Sequence, residues 1–319
     1  MADFPAITDV LAAARRLEGV ARRTPLERSE WLSDAAGQEV WLKLESAQRT
    51  GSFKLRGAYN AIASLPPEAR PRGVVTASAG NHGLGVAWAT RALGVPATIF
   101  VPESAAATKR RRIARYGAIL HEVAGTYDDA HHAAEAHAAE RGLPFVNAFS
   151  DPVVVAGQGT VGTEVLAELP EVRTFLVPAG GGGLIGGVGT VARALAPGAR
   201  VVGVQTEATS ALHDSLRAGE LRPGPVMPTL CEGLAGDIDA PSLVLARRVV
   251  DEVLVVSEAS VRRAMRHLFV EEAVVAEGSA AVVVAALLEG RLAGAPGPVA
   301  AVISGGNVDA AVLASILSE

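Results

Sequence analysis

The sequence predicts an α/β fold with two parallel-sheet units, the smaller inserted into the larger. Two observations lead there. Short β-branched runs alternate with longer alanine-rich stretches along most of the 319 residues, the pattern of parallel sheets covered by helices on both faces. Glycine-containing turns then fall where several of those runs end. Taken in order, "GVVTAS" (73–78) reads as a strand and "GLGVAWATRAL" (83–93) as the helix after it. "PATIFVP" leads into "ESAAATKRRRIARYG", and "AILHEV" into "TYDDAHHAAEAHAAERG". Further along come the strand "TFLVPAG", the helix "GLIGGVGTVARALA" and the strand "ARVVGVQTE". No repeat of roughly 20–50 residues interrupts the series. The softer stretches "LPPEARPRG" (65–73) and "GLPFVNAFSDP" (142–152) bracket about three strand–helix units. They predict a small, mobile domain over 69–147 and a large domain over 1–68 and 148–319.

Composition narrows the function classes. The chain is 49% hydrophobic and 20% charged, enough to bury one large or two medium cores. A net charge of -5 argues against a broad nucleic-acid surface. The single cysteine, Cys231, has no internal disulfide partner, and a reducing compartment is the default. The opening "MADFPAITDVLAAARRLEG" has acids and no long apolar core, so no signal peptide is expected. Apolar runs such as "AAVVVAALL" (280–288) are too short to span a membrane. A cytoplasmic protein with a small-molecule partner is the expectation.

The chain has three lysines, Lys43, Lys54 and Lys109, among 29 basic residues. Arginine fills the ordinary basic positions, and a retained lysine can do what arginine cannot: lose its proton and act as an amine. Lys54 follows a glycine-serine turn in "QRTGSFKLRGA" (48–58), at the start of a helix-like run. Three other glycine-containing turns lie at carboxyl ends of expected strands, where open α/β sheets place ligands. These are "SAGNHG" (78–83), "PAGGGGLIGG" (178–187) and "ISGGN" (303–307). Consecutive glycines let backbone N–H groups approach a ligand, and a helix starting near Leu184 adds the positive end of its dipole, which suits a phosphate. A nucleotide P-loop would end in GK[ST], which is absent from "GGGGLIGG". "GGVGTVA" meets only part of a dinucleotide fingerprint, with Glu207 as a loose acidic partner, so an NAD-binding oxidoreductase is a distant alternative. A lysine amine with a phosphate loop points instead to pyridoxal phosphate.

The segments "ESAQRTGSFKLRGA", "TASAGNHGLG", "PAGGGGL" and "SGGN" resemble, in order and spacing, the signatures of fold-type II pyridoxal-phosphate enzymes, whose fold is like that of the tryptophan synthase β chain. The branch they resemble is the serine/threonine dehydratases, and the likeness extends through "DDAHHAAEAHAAERG", "SDPVVVAGQGTVGTE" and "LCEGLAGDI". The resemblance implies that Lys54 is the Schiff-base lysine with Phe53 beside it, and that Asn81 bonds the pyridoxal 3'-oxygen. Gly180, Gly181, Gly182, Gly183 and the Leu184 amide would hold the phosphate, and Ser304 would face the pyridine nitrogen. The loop Ser78-Ala79-Gly80-Asn81-His82, opening a helix at Gly83, would receive the substrate carboxylate. A hydroxyl at the ring nitrogen makes a weaker electron sink than a carboxylate, which favours elimination of a β-leaving group over transamination. The expected reaction is PLP-dependent β-elimination of water from L-threonine or L-serine, giving a 2-oxo acid and ammonia, in a homodimer.

Departures and weaker signals set the alternatives. Serine racemases carry a serine where this chain has Ala79, which cannot move a proton. The chain stops soon after "SGGN", so feedback through a C-terminal regulatory domain is not expected. Other β-hydroxy amino acids, such as phenylserine or 3-hydroxyaspartate, stay open, with "NAF" (147–149) and "GLG" (83–85) as candidate selectors. Cysteine-synthase-like β-replacement is disfavoured by "QRTGSF" and "GNH". Glu207 and Ala211 match cation ligands of metal-activated relatives, for Mg²⁺ or Ca²⁺; His213 stands where an aspartate is usual, with Asp214 beside it. "HHAAEAH" (131–137) reads as a solvated helix and "KRRRIAR" (109–115) as an exposed helix face. Cys231 reads as an inert thiol, His82 as a helix-capping or packing residue, and Glu277 as a residue that orients others near the cofactor.

Overall fold

A computed structural model describes residues 4–319. Its strands are β1 (Leu26–Ser29), β2 (Val40–Leu44), β3 (Val74–Ala77), β4 (Ala97–Pro102), β5 (Ile119–Val123), β6 (Thr174–Pro178), β7 (Arg200–Thr206), β8 (Glu252–Val256) and β9 (Val299–Ile303). The helices of the first half are α1 (Ile7–Leu17), α2 (Glu30–Ala36), α3 (Lys54–Ala63), α4 (Asn81–Leu93), α5 (Ala107–Ala114) and α6 (Tyr127–Arg141). Those of the second are α7 (Pro152–Glu168), α8 (Gly183–Leu195), α9 (Ala211–Ala218), α10 (Ala240–Val249), α11 (Glu258–Glu272), α12 (Gly278–Leu288) and α13 (Ala310–Leu317).

Two sheets organise them. The larger runs β1-β2-β9-β6-β7-β8 and the smaller β3-β4-β5. Every pairing is parallel except β1 with β2. That antiparallel pair forms one edge of a sheet that is otherwise parallel, as the sequence predicts. Seven-residue α2 is its connection, and a parallel neighbour would have needed a crossover of a dozen or more residues. The central strands β6 and β9 are buried along their whole length, as expected where helices cover both faces.

The smaller sheet carries α6 on one face. Ala130, Ala134 and Ala138 recur every fourth residue and are buried against Val75, Ala77 and Phe100. The expectation of a solvated helix there needs correction, because alanines at i, i+4 and i+8 line one face and let the helix sit close to the strands. His131 stands edge-on to Phe145 at 5.3 Å, and His137 lies 5.3 Å from Phe100. A second correction concerns α4, which starts at Asn81 rather than Gly83. Gly80 is its N-cap, and the Leu84 N–H closes the first turn on the Gly80 carbonyl at 3.1 Å.

Helices α3, α7 and α8 pack backbone against backbone. A Cβ on Gly157 would lie 2.7 Å from the Arg56 carbonyl oxygen and 2.7 Å from the Gly57 Cα. One turn further, a Cβ on Gly187 would lie 2.5 Å from the Val155 oxygen and 2.6 Å from the Gly159 nitrogen. Any side chain at these crossings would push the helices apart. Gly157→Ala would gain about 1 kcal/mol of helix propensity but lose more to displaced backbone. We expect a net loss of about 2 kcal/mol in urea unfolding, whereas Gly198→Ala, which meets nothing within 4 Å, should stay within about 0.5 kcal/mol of the parent.

Candidate active site

The carboxyl ends of β2, β9 and β6 are neighbours in the larger sheet, and three of the four glycine-containing segments follow them. The turn after β2 lies antiparallel to the turn after β9. The Phe53 N–H donates to the Ser304 carbonyl at 3.1 Å, Ser52 bridges Gly305, and the Gly306 N–H donates to the Gly51 carbonyl at 2.9 Å. Asn307 completes the pairing, donating from Nδ2 to the Thr50 carbonyl at 2.9 Å. "TGSF" and "SGGN", some 250 residues apart in the chain, thus form one two-stranded floor. Gly51 turns it with φ +74°, a left-handed value that glycine adopts without strain.

Lys54 is the first residue of α3, directly after that floor. Its amine donates to the Ala148 carbonyl at 2.9 Å and lies 5.2 Å from the Phe53 ring centre. Desolvation lowers its pKa to about 8, against the opposing pull of the Glu277 carboxylate. An amine so placed is deprotonated far more readily than a surface lysine. The segment Val146–Phe149 touches each neighbouring motif in turn. Its Val146 carbonyl meets His82 Nε2 at 3.0 Å, its Ala148 carbonyl takes Lys54, and its Phe149 ring packs on Gly181.

Gly85 lets α4 approach this point, since a Cβ there would lie 3.1 Å from the Leu55 nitrogen and the Lys54 carbonyl carbon. At the head of α4, Asn81 donates from Nδ2 to Glu277 Oε1 at 2.6 Å and accepts on Oδ1 from Asn307 Nδ2 at 2.6 Å. Burial pushes Glu277 up to about 7, despite the Asn81 hydrogen bond. His82 is 3% exposed, and desolvation and the Lys54 charge lower its pKa to about 3. It is therefore neutral, with Nε2–H donating to Val146 and the buried Nδ1 without a partner among the described residues. Ser78 and Ala79 are half-buried and Gly80 exposed in the turn ahead of the helix, with the Gly80 N–H donating to Ser78 Oγ at 3.1 Å.

The glycine turn after β6 has the shape of an anion cradle. Gly182 caps α8 with φ +97°, and the opening N–H groups of a helix have no intrahelical acceptor. The turn is walled closely, because a Cβ on Gly181 would enter the Phe149 ring and one on Gly180 would lie 3.0 Å from the Leu234 Cα. The opening backbone N–H groups can face a ligand here, with the Ser242 hydroxyl beside Gly182 and buried Leu184 continuing the helix. A cradle of N–H groups, a desolvated amine and the 4%-exposed Ser304 fit pyridoxal phosphate: phosphate to the cradle, aldehyde to the amine, ring nitrogen to the hydroxyl.

The other two lysines have structural partners. Lys43 is fully buried and donates to Glu164 at 2.7 Å and to the Thr24 carbonyl at 2.6 Å. Glu164 also pairs with Arg56 at 2.6 Å, and Arg56 with buried Glu45 at 2.7 Å. Burial opposes the Arg56 charge, but Glu45 and Glu164 more than offset it and hold its pKa above the usual value. This balanced quartet ties α3, β2 and α7 together two residues from Lys54. Lys109 pairs with Glu232, and Arg112 donates to Asn307 at 2.5 Å. The reading of 109–115 as a plain exposed face is thus corrected, because two of its cations reach the other unit.

At the end of β7, Glu207 caps α11 by accepting the Glu258 N–H at 3.0 Å, and Ala211 opens α9. His213 bonds Asp214 at 2.9 Å. Among the described residues, no group of three or more His, Cys, Asp or Glu side chains is arranged to hold a metal ion. Cys231 is fully buried, and burial pushes its thiol well up. The sequence reading quoted Ala148 and Phe149 within "NAF" as substrate selectors and Asn307 within "SGGN", without the contacts they make here, and it missed the quartet.

With three lysines in the chain, the Lys54 amine can be followed directly by NMR of the ¹³C-methylated, cofactor-free protein. We expect its midpoint near pH 8. Glu277→Gln removes the anion that favours the charged form and should move that midpoint lower still.

Comparison with known proteins agrees with this geometry. The pyridoxal-phosphate dependent enzyme family matches residues 17–305. An L-threonine ammonia-lyase of Thermotoga maritima is 43% identical over 317 residues, covering 98% of this chain and 78% of that one. The processed form of threonine deaminase isoform 2 from Solanum lycopersicum superposes with a TM-score of 0.91 at 32% identity, over 98% of this chain and 91% of that one. Maize serine racemase superposes with a TM-score of 0.94 at 30% identity, over 99% and 98%. With the family's residues matched from before β1 to the turn after β9, around a desolvated lysine and a glycine cradle, the chain belongs to the pyridoxal-phosphate-dependent enzymes.

Proposed function

We propose that this protein eliminates water from L-threonine or L-serine, releasing a 2-oxo acid and ammonia. The observation that carries the reading is the Lys54 amine, desolvated to a pKa of about 8 and bonded to the segment that also packs on the glycine cradle. When bound, pyridoxal phosphate supplies an electron sink that acidifies the α-hydrogen of an attached amino acid. Lys54 anchors the cofactor and, as the free amine, takes the proton from the substrate Cα. Its lowered pKa keeps a useful fraction unprotonated near neutral pH. The N–H groups of Gly180 to Leu184 hold the phosphate, and Ser304 meets the ring nitrogen without a fixed charge. Asn81 offers the ring oxygen the amide hydrogen that Glu277 leaves uncommitted. The N-terminus of α4, with the backbone of Ser78 to His82, receives the substrate carboxylate.

The names of the relatives support threonine, since the Thermotoga maritima protein is an L-threonine ammonia-lyase and the Solanum lycopersicum one a threonine deaminase. A smaller unit over 69–147 that moves against the larger one, a cytoplasmic location and a homodimeric state complete the reading. A racemase is the second reading, favoured by the likeness to maize serine racemase and opposed by Ala79, which offers no proton to the far face of the substrate.

The visible spectrum of the purified protein, followed as L-threonine is added, tests the proposal. A bound-cofactor band with accumulating 2-oxobutanoate is expected, and Lys54→Ala should lose the band and at least about 10³-fold of the activity. A band with no product from threonine or serine would move the substrate to another β-hydroxy amino acid. No band after supplying pyridoxal phosphate would sink the reading. Ala79→Ser restores a proton-carrying group at the far face, and chiral chromatography of L-serine reactions should then reveal D-serine that the parent does not form. Abundant D-serine from the parent would favour the racemase.

A further inference from the structure

A chain of hydrogen bonds crosses three times between the two sheet units. Arg112, on α5 of the smaller unit, donates from Nη2 to Asn307 Oδ1 at 2.5 Å. Asn307, after β9 of the larger unit, donates from Nδ2 to Asn81 Oδ1 at 2.6 Å and to the Thr50 carbonyl at 2.9 Å. Asn81, back on the smaller unit, donates from Nδ2 to Glu277 Oε1 of the larger at 2.6 Å. A carboxamide can present its two ends either way round, and its neighbours decide which. With Arg112 facing Oδ1, the Asn307 NH₂ must point at the two carbonyl-type oxygens. The Asn81 amide is then fixed as well, since turning it over would set NH₂ against NH₂ on one side and oxygen against carboxylate on the other.

We propose that Arg112 is a positioning residue for Asn81: its hydrogen bond locks the orientation of the Asn307 amide, and through it that of the Asn81 amide beside Lys54. The inference rests on the reading that Asn81 faces the pyridoxal ring oxygen. Thr50 and Glu277 belong to the larger unit and are present whatever the smaller one does. Arg112 and Asn81 arrive together on the smaller unit, flanked by the Lys109–Glu232 pair. Thr50 and Glu277 favour the same amide orientations, and Arg112 adds a charged donor at the one Asn307 end they leave free. The amide hydrogen that Asn81 offers the cofactor is therefore held most firmly while α5 lies against Asn307. Arg110, two residues before it on the same helix, pairs instead with Glu122 within its own unit and serves as the control.

The test compares holoenzymes of the parent, Arg112→Met, Arg112→Lys, Arg110→Met and Asn307→Asp, with kcat for L-threonine normalised to bound cofactor and the wavelength of the visible band recorded for each. Loss of one such hydrogen bond should cost Arg112→Met about five- to tenfold in kcat, with a shifted band and intact cofactor content. Arg112→Lys, which keeps one donor, should recover part of both. Asn307→Asp, which sets a carboxylate against the Asn81 and Thr50 oxygens, should shift the band further, and Arg110→Met should match the parent. An unshifted band with full kcat in Arg112→Met would overturn the inference alone, as would a kcat that merely follows cofactor content. A parent without any cofactor band would overturn the underlying reading and this inference with it.

Discussion

Backbone-to-backbone packing of helices is the constraint on which the site depends. Helix α3 begins with Lys54, α4 with Asn81 and α8 with the glycine cradle, so the distances among these groups are distances between helix ends. Those are set where the helices cross: Gly85 against the Lys54 backbone, Gly57 against Gly157, and Gly159 against Gly187. At such crossings the helices interlock without side chains between them, and packing at this density leaves no compliance to absorb a methyl group. The glycines of "GQGTVG" thus help to fix where the glycine cradle sits, through packing alone.

Charge does the complementary work on the far side of α3. Lys43 and Arg56 balance buried Glu45 and half-buried Glu164 in a place largely closed to water. A buried quartet of this kind is poor evidence of net stability, because desolvation consumes most of the Coulombic gain. It is good evidence of register, since a shift of α3 by one residue would strand a charge. The same helix therefore presents one lysine that is neutralised easily and, two residues on, an arginine that keeps its charge. Desolvation dominates at Lys54, where a single carboxylate opposes it, and loses at Arg56, where two carboxylates bond the guanidinium directly.

The two sheet units meet through polar groups near the cleft. Lys109–Glu232, Arg112–Asn307, Asn307–Asn81 and Asn81–Glu277 all bridge them. Hydrogen bonds and half-exposed ion pairs of this sort are individually weak, and they lie beside an apolar seam in which Ala58, Ile62 and Val154 of the larger unit cluster with Leu84 and Val86 of the smaller.

From the sequence alone came the alternation of strands and helices, the glycine turns at strand ends and the singular position of Lys54, because these are local: period, turn chemistry and residue type are written in short stretches. Four co-linear segments were enough to indicate the cofactor family. The antiparallel edge strand, the alanine face of α6 and the start of α4 at Asn81 were decided by packing, which short stretches do not encode. The pairing of "TGSF" with "SGGN", the partners of Lys43 and Lys109, and the junction at Asn307 link residues that are far apart in the chain. Neighbours of that kind determine desolvation, amide orientation and charge state, and so only the tertiary structure could turn a set of plausible residues into a site.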